Sequence, residues 1–284
     1  MPQLPVQGVQ IIKVNELSSQ TVEDILVVEE PLEIRLGYGP MDMRDVMNVS
    51  ITMRTPGNDF ELATGFLFTE GIIKSGEDIL SIKYCTDHQK LEQQYNIVRV
   101  ELKPTIDFDA SGLSRNFYMT SACGICGKAS IDAIGLHCEK REATNDLQVT
   151  KSIILSLSEQ LKQKQTIFNN TGGIHAAALF DINGDLILTM EDVGRHNALD
   201  KLIGSLVALN RLAIAKSSVL FLSGRASFEL LQKAAISGIQ LVCAVGAPSS
   251  LAVQTAEEFG ITLVGFLREG RYNVYTHPQR ISFE

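Results

Sequence analysis

The sequence predicts an α/β protein in two parts: a smaller β-rich region of α+β type in residues 1–115, and a larger domain with a mixed sheet in residues 116–284. The larger domain is predicted from the last part of the chain, where apolar strands and amphipathic helices alternate in the order β-α-β-α-β. That order implies parallel strands with right-handed crossovers. An Asn-Gly pair between two earlier apolar runs predicts a hairpin, and hence antiparallel strands beside the parallel ones. We expect helices on both faces of this sheet.

In the first region, short segments of alternating apolar and polar residues predict strands. The stretch DILVVEEPLEIRLG predicts two short strands broken at Pro31, and VMNVSITMRT and NIVRVELK predict two more. The segment DFELATGFLFTEGII has apolar residues at helical spacing, with Asp59 as the expected N-cap. We expect the first twenty residues to form a loose arm, and the polar run PTIDFDASGLSRN to link the two parts.

The second region begins with two predicted helices, ASIDAIGLH and KSIILSLSEQLKQKQ, and the latter has Ile154, Leu157 and Leu161 on one stripe. The hairpin AAALFDINGDLILTM turns at Asn183-Gly184, and the helix NALDKLIGSLVALNRL follows it. The apolar strands SVLFLSG, QLVCAVG and ITLVGFL are then separated by the helices SFELLQKAAISG and SLAVQTAEEFG. These last five segments are the β-α-β-α-β unit.

The composition excludes several classes of protein. A net charge of −8 leaves no excess of Lys and Arg to neutralise phosphates, so no nucleic-acid partner is expected. No apolar run reaches membrane-spanning length and the first thirty residues do not resemble a signal peptide, so no membrane partner is expected. Five scattered cysteines do not make a disulfide framework, which favours a cytoplasmic location. They are Cys85, Cys123, Cys126, Cys138 and Cys243.

Three polar loops, SGRAS, GAPSS and LREGR, follow three successive predicted strands. Ligands of open α/β sheets bind at the carboxyl ends of the strands, so we expect a binding site there. Two of the loops begin helices whose free N–H groups favour anions, and Arg225, Arg268 and Arg271 add forked donors for phosphate oxygens. The sequence has neither the dinucleotide fingerprint nor a P-loop. Helix caps with solvated arginines explain these loops about equally well.

A denser polar cluster, EDVGRHN, lies between the hairpin and the next helix. It contains Glu191, Asp192, Arg195, His196 and Asn197. Loops between a strand and a helix often hold functional residues, but a capping arrangement with local ion pairs is slightly favoured here. His175 stands behind two glycines at the start of a strand, where a hydrogen-bonded structural histidine is the commoner outcome.

The stretch SACGICGKAS places Cys123 and Cys126 three residues apart, each before a glycine. A zinc site needs four ligands, and the adjacent His137 and Cys138 are an awkward second pair, so no structural metal is expected. A zinc deaminase would have its H-x-E motif before the CxxC, whereas here the CxxC comes first. A thioredoxin-like redox site would need a longer strand before the cysteines, although this alternative stays open.

A thiol that carries a cargo group accounts for more residues of this stretch than a zinc site or a redox dithiol does. Gly124 and Gly127 allow the loop to swing, while Lys128 and the start of a predicted helix would lower a thiol pKa towards the reactive thiolate. A second thiol nearby could discharge the cargo by attacking the first sulfur.

Eight segments of the chain closely resemble the FdhD family of formate dehydrogenase accessory proteins. They are EEPLEIRL, TMRTPGNDFELATGFLFTEGII, SACGICGKAS, TGGIHAAAL, EDVGRHNALDKLIG, SGRASFELLQKAAISGI, PSSLAV and GFLREGRYNVYTH. They occur in order from the first predicted strand to the C-terminal tail, which is far more specific than one CxxC. One departure is Gly246, where the family often has a serine, so one hydroxyl contact is in doubt.

The resemblance implies a sulfurtransferase that accepts sulfur from a cysteine desulfurase as a persulfide. It then passes the sulfur to the molybdenum cofactor, bis(molybdopterin guanine dinucleotide), destined for formate dehydrogenase. Cys123 would be the persulfide cysteine and Cys126 the second thiol. The cofactor-contacting segment would be Phe266, Leu267, Arg268, Glu269, Gly270 and Arg271.

The resemblance also implies a fold, an assembly and a surrogate ligand. The second part should be a three-layer domain similar to cytidine deaminase without its zinc site, and the protein a homodimer. GDP should serve as a surrogate for half of the cofactor. Two other functions remain open: a chaperone that only holds the cofactor, with incidental cysteines, and a thiol-disulfide oxidoreductase.

Overall fold

The computed structural model describes residues 4–85, 95–108 and 147–284. The first two ranges contain two sheets and one α-helix, which lies after the fourth strand. The elements are β1 (Val6–Val14), β2 (Ser19–Val27), β3 (Glu30–Tyr38), β4 (Asp45–Arg54), α1 (Asp59–Thr69), β5 (Ile79–Tyr84) and β6 (Ile97–Leu102).

Residues 147–284 alternate helices and strands along most of their length. The elements are β7 (Val149–Thr150), α2 (Lys151–Lys162), α3 (Thr166–Thr171), β8 (His175–Phe180), β9 (Leu186–Asp192), α4 (Arg195–Ala208), β10 (Val219–Leu222), α5 (Phe228–Ile236), β11 (Leu241–Ala244), α6 (Ser250–Glu258), β12 (Thr262–Arg268), β13 (Arg271–Thr276) and β14 (Ile281–Ser282).

The larger part is built on a six-stranded sheet in the order β13-β12-β11-β10-β8-β9. Strand β11 pairs in parallel with both β10 and β12, as the sequence predicts. Strand β8 pairs antiparallel with both β9 and β10. The hairpin between β8 and β9 contains Gly184 at a φ of 89°, a left-handed conformation that glycine adopts without steric cost. The predicted mixed sheet is confirmed.

Helices cover both faces of this sheet. On one face, Leu179 of β8 belongs to a hydrophobic cluster that includes residues of α4, α5 and α6. On the other face, Phe180 packs in a second cluster with α2, whose predicted stripe of Ile154, Leu157 and Leu161 is fully buried. Successive strand residues point to opposite faces, so Leu179 and Phe180 pack in different clusters. The sheet therefore lies between two layers of helices. The closer likeness to cytidine deaminase stays a prediction.

The smaller sheet, in the order β4-β3-β6-β5, packs against the larger part through α1. Helices α1 and α4 cross at Gly65 and Gly204, where a Cβ on either glycine would overlap a backbone carbonyl of the other helix. Buried residues of both sheets and of both helices belong to one hydrophobic cluster. The predicted boundary at residue 115 lies outside the described residues, so the division into two domains stays a prediction.

The start of the chain is not the loose arm that we predicted. Strand β1 pairs with β2 along its whole length, from Val6 opposite Val27 to Val14 opposite Ser19. The side chain of Asn15 accepts backbone hydrogen bonds in the turn between them. The ribbon is exposed on both faces, so its sequence lacks the one-sided alternation that marks a half-buried strand.

Two local predictions in this region are wrong. The break between β2 and β3 precedes Glu30, and Pro31 is the second residue of β3. That position lies before the pairing of β3 with β6 begins, so the missing N–H of proline is tolerated there. Asp59 is not the N-cap of α1, because Asn58 occupies that position at a φ of 55°. The Asp59 carboxylate instead binds the buried guanidinium of Arg54, with both bonds at 3.0 Å.

The remaining predicted helices and strands are confirmed where the structure describes them, including the segments that form β4, β6, α4 and the β-α-β-α-β unit. The predicted helix ASIDAIGLH and most of the predicted linker lie outside the described residues. Short strands such as β5, β7 and β14 were not predicted.

Candidate functional site at the sheet edge

The loops after β10, β11 and β12 lie side by side at the carboxyl edge of the larger sheet, as predicted. The Gly246 amide donates to the Gly224 carbonyl at 2.9 Å, and the Phe266 amide donates to the Gly246 carbonyl at 3.1 Å. The Ser249 amide donates to the Ala226 carbonyl at 3.0 Å. Backbone hydrogen bonds therefore continue past the strand ends and hold the loops in one surface. That surface, the loop edge, consists of residues 223–227, 245–249 and 266–271.

Strand β12 changes its course at the loop edge. Phe266 has a φ of 52° and its side chain is 37% exposed, while the next residue, Leu267, is fully buried. A left-handed backbone is costly for a bulky residue and such strain concentrates at ligand sites. The irregular pairing of β12 with β13 falls at the same place, between Gly265 and Arg268. The bend turns the aromatic ring of Phe266 towards solvent at the predicted cofactor segment.

The arginines of the predicted cofactor segment form a cross-strand pair. Arg268 and Arg271 lie directly opposite each other in the β12–β13 hairpin, and both are exposed. Glu269 and Gly270 make the turn between them, with Gly270 at a φ of 73°. Like charges directly opposite destabilise a strand pair. An anion bound between the two guanidinium groups would offset this repulsion.

Gly246 is a glycine for a steric reason. A Cβ at this position would lie 2.9 Å from the Cα and Cγ of Arg225 and 3.0 Å from its amide nitrogen. The contact involves backbone, which cannot move aside as the end of a flexible side chain can. In this chain the close approach of the GAPSS and SGRAS loops therefore requires glycine, and the exposed side chain of Arg225 supplies a cation at the same point.

The EDVGRHN cluster lies at the same edge of the sheet. Strand β8 is antiparallel to β10, so it begins where β10 ends, and β9 returns to that edge. His175 opposite Asp192 is the last pair of this ladder. The turn at Asn183-Gly184 brings the start of β8 and the end of β9 to one edge, and the antiparallel pairing of β8 with β10 makes it the loop edge.

Two carboxylates of the cluster have structural roles. The fully buried Asp192 binds Lys201, whose side chain is only 2% exposed, at 2.7 Å. Asp192 also accepts hydrogen bonds from the amides of Thr55 and Gly194. Glu191 accepts hydrogen bonds from two amides at the start of α3. For these two residues the capping and ion-pair interpretation holds.

Three basic side chains at the same edge, those of His175, Arg195 and His196, are not held in buried ion pairs of the Asp192–Lys201 kind. The Nε2 atom of His196 lies 2.7 Å from a Glu229 carboxylate oxygen and 3.3 Å from the Ser227 hydroxyl. Arg195 forms no ion pair among the described residues, and its buried Nε has no hydrogen-bond partner there. The half-buried His175 ring lies beside Gly224. Burial first, and then the charges of Arg195 and His196, lower the pKa of His175, while Asp192 acts in the opposite direction.

The lowered pKa of His175 predicts how the stability of the protein depends on pH. The unfolded chain binds a proton at His175 near its ordinary pKa of 6.5, whereas the folded chain binds it only at lower pH. The free energy of unfolding should therefore fall as pH drops below about 6.5, until the folded pKa is passed. Urea denaturation of wild type and His175→Gln in a phosphate-free buffer should show a smaller acid loss in the variant. An equal loss in both proteins would contradict this assignment.

The predicted thiol loop, with Cys123 and Cys126, lies outside the described residues. The two described cysteines have no disulfide partner; Cys85 is half-buried and Cys243 is fully buried. Burial strongly raises the pKa of Cys243. A buried thiol of raised pKa is a poor nucleophile, so Cys243 is not a candidate for sulfur chemistry.

Two features are absent from the described residues. No group of three or more His, Cys, Asp and Glu side chains among them is arranged to hold a metal ion. Likewise, none of the helices within 4–85, 95–108 and 147–284 is long and apolar enough to cross a membrane.

The fold and the loop edge define a three-layer, mixed-sheet α/β protein whose basic side chains converge on one edge. The chain belongs to the FdhD/NarQ family, whose model matches residues 27–282.

Sulfur carrier proteins of other organisms are similar to this chain over nearly its whole length. The sulfur carrier protein FdhD of Mycolicibacterium paratuberculosis is 48% identical over 259 residues, which is 91% of this chain and 92% of that protein. The sulfur carrier protein FdhD of Sulfolobus acidocaldarius is 41% identical and covers 98% of this chain and 99% of its own. A crystal structure from Desulfotalea psychrophila superposes with a TM-score of 0.72 at 25% identity, covering 98% of this chain and 99% of that chain. A formate dehydrogenase accessory role has been assigned to that protein.

Proposed function

We propose that this chain is a cytoplasmic sulfur carrier, a sulfurtransferase that supplies sulfur to the molybdenum cofactor of formate dehydrogenase. The observation that carries the proposal is the near full-length match to proteins named sulfur carriers, in a chain that has the SACGICGKAS stretch. The crystal structure with the same fold supports the formate dehydrogenase connection. A cysteine desulfurase is the expected sulfur donor, and a homodimer the expected assembly.

Loading requires one reactive thiolate. The Cys123 thiolate would attack the terminal sulfur of a persulfide on the desulfurase, forming a new S–S bond and releasing the desulfurase thiolate. No electrons are gained or lost overall. The flanking Gly124 and Lys128 suit this role, because one allows the loop to move and the other favours the thiolate.

Peptide mapping by mass spectrometry tests the proposal. After incubation with a cysteine desulfurase and free cysteine, the peptide that contains Cys123 should have one added sulfur. The buried Cys243 and the half-buried Cys85 are internal controls that should stay unmodified. Sulfur found only on Cys85 or Cys243 would contradict the assignment, and a protein that never takes up sulfur would favour a chaperone that only holds the cofactor.

Cys126 is expected to act in release rather than in loading. Its thiolate would attack the inner sulfur of the Cys123 persulfide, so that the terminal sulfur leaves as sulfide and a Cys123–Cys126 disulfide forms. The two thiols supply the two electrons that reduce the sulfur, and a thiol reductant must then restore them. Cys126→Ala should load sulfur normally yet fail to activate formate dehydrogenase, as measured by its formate oxidation. Full activation by this variant would remove the role from Cys126.

The cofactor is the substrate of this transfer, and the loop edge is where we place its guanine nucleotide ends. Phe266, Arg268 and Arg271 are exposed at this edge, and the helices α5 and α6 begin beside it. Helix N-termini and arginines are suitable donors for a diphosphate. Arg268 and Arg271 would be the principal anchors.

Calorimetric titration with GDP tests this placement. Arg268→Ala and Arg271→Ala should each weaken GDP binding by about 1–2 kcal/mol, or about five- to thirtyfold, because each removes charged hydrogen bonds from an exposed site. Arg211→Ala is a suitable control, since Arg211 is exposed at the far end of α4. Unchanged affinity in both hairpin variants, with intact folds, would move the nucleotide away from this hairpin.

A further inference from the structure

We propose that the outer face of the smaller sheet is a docking surface for an acidic helix of a partner protein. The centre of this surface, the cation row, consists of Lys83 on β5, Arg99 on β6 and Arg35 on β3. Val46 and Ile51 of β4 lie beside the end of the row. Sulfur transfer is not required for this binding.

The three cations lie directly opposite one another across three strands. Arg99 is paired with Lys83 in the antiparallel β5–β6 ladder and with Arg35 in the parallel β3–β6 ladder. Neighbouring strands are about 4.8 Å apart, so the row is about 10 Å long. The side chains of Arg35 and Arg99 are 37% and 28% exposed, so both can be reached from solvent. Like charges directly opposite each other destabilise strand pairs unless anions offset them.

The cation row faces away from the core and from the loop edge. Each cation lies between two strand residues that belong to the core cluster around α1 or pack against it. These flanking residues are Ile34 and Leu36, Val98 and Val100, and Ile82 and Tyr84. Because successive strand residues point to opposite faces, the cations point to the outer face of the sheet. Helix α1 joins the other face to the larger part, so the cation row and the loop edge are separate surfaces.

The carboxylates of this face neutralise it only in part. Glu33 binds Arg35 at 2.7 Å, and Glu101 is shared between Arg99 and the nearby Arg44. The third cation of the row is exposed and forms no ion pair within the described part of the chain. Four cations therefore face two carboxylates, which makes this face positive in a chain whose net charge is −8. Charge complementarity favours an acidic partner.

The cation row ends beside exposed apolar side chains on β4, the edge strand of its sheet. Asn48 is opposite Arg35, and Val46 and Ile51 on either side of Asn48 are 45% and 65% exposed. A helix with carboxylates at positions i, i+3 and i+7 presents them on one face over about 10 Å, which matches the length of the row. An apolar residue one turn further along that helix would contact the apolar side chains of β4.

Binding of a synthetic peptide to the full chain tests this surface. The probe is a fluorescent helical peptide with glutamates at i, i+3 and i+7 and a leucine one turn further, and fluorescence anisotropy at low salt should show saturable binding. Lys83→Gln and Arg35→Gln should each weaken binding about two- to fivefold, and added salt should weaken it further. Glu33→Gln should strengthen binding, because it frees Arg35 and removes a carboxylate that repels the probe.

Controls separate this surface from a general effect of charge. A peptide of the same composition with its glutamates spread around the helix should bind more weakly. Arg211→Gln and Lys216→Gln remove exposed cations of the larger part and should leave the affinity unchanged. Carbodiimide coupling followed by peptide mapping should join a probe carboxylate to the Lys83 amine.

Equal binding of the two peptides, equal affinity in folded Lys83→Gln and Arg35→Gln, or coupling only at other lysines would overturn the proposal. Tighter binding of a single-stranded DNA of equal charge would also overturn it, since the face would then bind phosphates. So would a change of oligomeric state in these variants, which would make the face a contact between copies of the chain. Sulfur loading at Cys123 is measured separately, so failure of either proposal is recognised without the other.

Discussion

Cys123→Ser is expected to abolish both sulfur loading and formate dehydrogenase activation. A serine hydroxyl cannot form the S–S bond that holds the cargo, and Cys126, whose proposed role is release, would have no Cys123 persulfide to attack. The measurement is formate oxidation by cells whose formate dehydrogenase depends on this chain. The protein level should be unchanged, which immunoblotting would establish.

Cys85→Ser is the matched control for this substitution. Cys85 is half-buried and lies outside the CxxC stretch, so its loss should leave formate oxidation near the wild-type level. If Cys123→Ser also retained activity, the cysteines would be incidental and the chain would be a chaperone that holds the cofactor. That result would contradict the sulfur-carrier proposal.

Lys201→Met is expected to lower the free energy of unfolding by about 3–5 kcal/mol, because it leaves a buried carboxylate without its cation. Lys201 binds Asp192 at 2.7 Å and also donates to the Thr55 carbonyl at 2.8 Å. Asp192 in turn accepts a hydrogen bond from the Thr55 amide. The pair therefore joins the end of β4 in the smaller sheet to the end of β9 and the middle of α4, and chemical denaturation measures its loss.

Lys162→Met is the control for this prediction. Lys162 and its partner Glu159 are more than 60% exposed and 3.8 Å apart, so the loss should be within about 0.5 kcal/mol. Adding Asp192→Asn to Lys201→Met should recover part of the lost stability, since the uncompensated charge is then removed. Equal effects of Lys201→Met and Lys162→Met would show that the buried pair contributes little.

The mixed sheet and its edge could be predicted because they depend on strong local signals. Continuous apolar strands separated by amphipathic helices left one topology for the last strands, and that topology brought the SGRAS, GAPSS and LREGR loops together. The Asn-Gly turn added the antiparallel hairpin. From these elements alone, the convergence of Arg225, Arg268 and Arg271 on one surface followed.

Features that depend on tertiary contact could not be predicted in the same way. The β1–β2 ribbon has no buried face, so its sequence lacks the signal of a strand. Asp59 is a residue type that often caps helices, but its carboxylate binds the buried guanidinium of Arg54 instead. The need for glycine at position 246 follows from the close backbone of Arg225, which the sequence does not reveal. In each case the deciding contact exists only in the folded chain.

The candidate site was only partly accessible from the sequence. The sequence identifies the residues of EDVGRHN as candidates, but only their contacts in the structure separate those with a structural role from the others. Lys201 and backbone amides bind Asp192 and Glu191, whereas the buried Nε of Arg195 has no hydrogen-bond partner within the described part of the chain. The sequence alone offers no means of ranking neighbouring polar residues in this way.

Labelled sulfur can be followed from Cys123 to the cofactor in a single turnover. The protein is loaded from a desulfurase with isotopically labelled cysteine, freed of donor, and then mixed with formate dehydrogenase that contains unsulfurated cofactor. We expect label to leave Cys123 and to appear on the cofactor in step with the gain of formate oxidation, and Cys123→Ser to transfer none. Activation without label on the cofactor, or label that stays on the protein while activity appears, would contradict it.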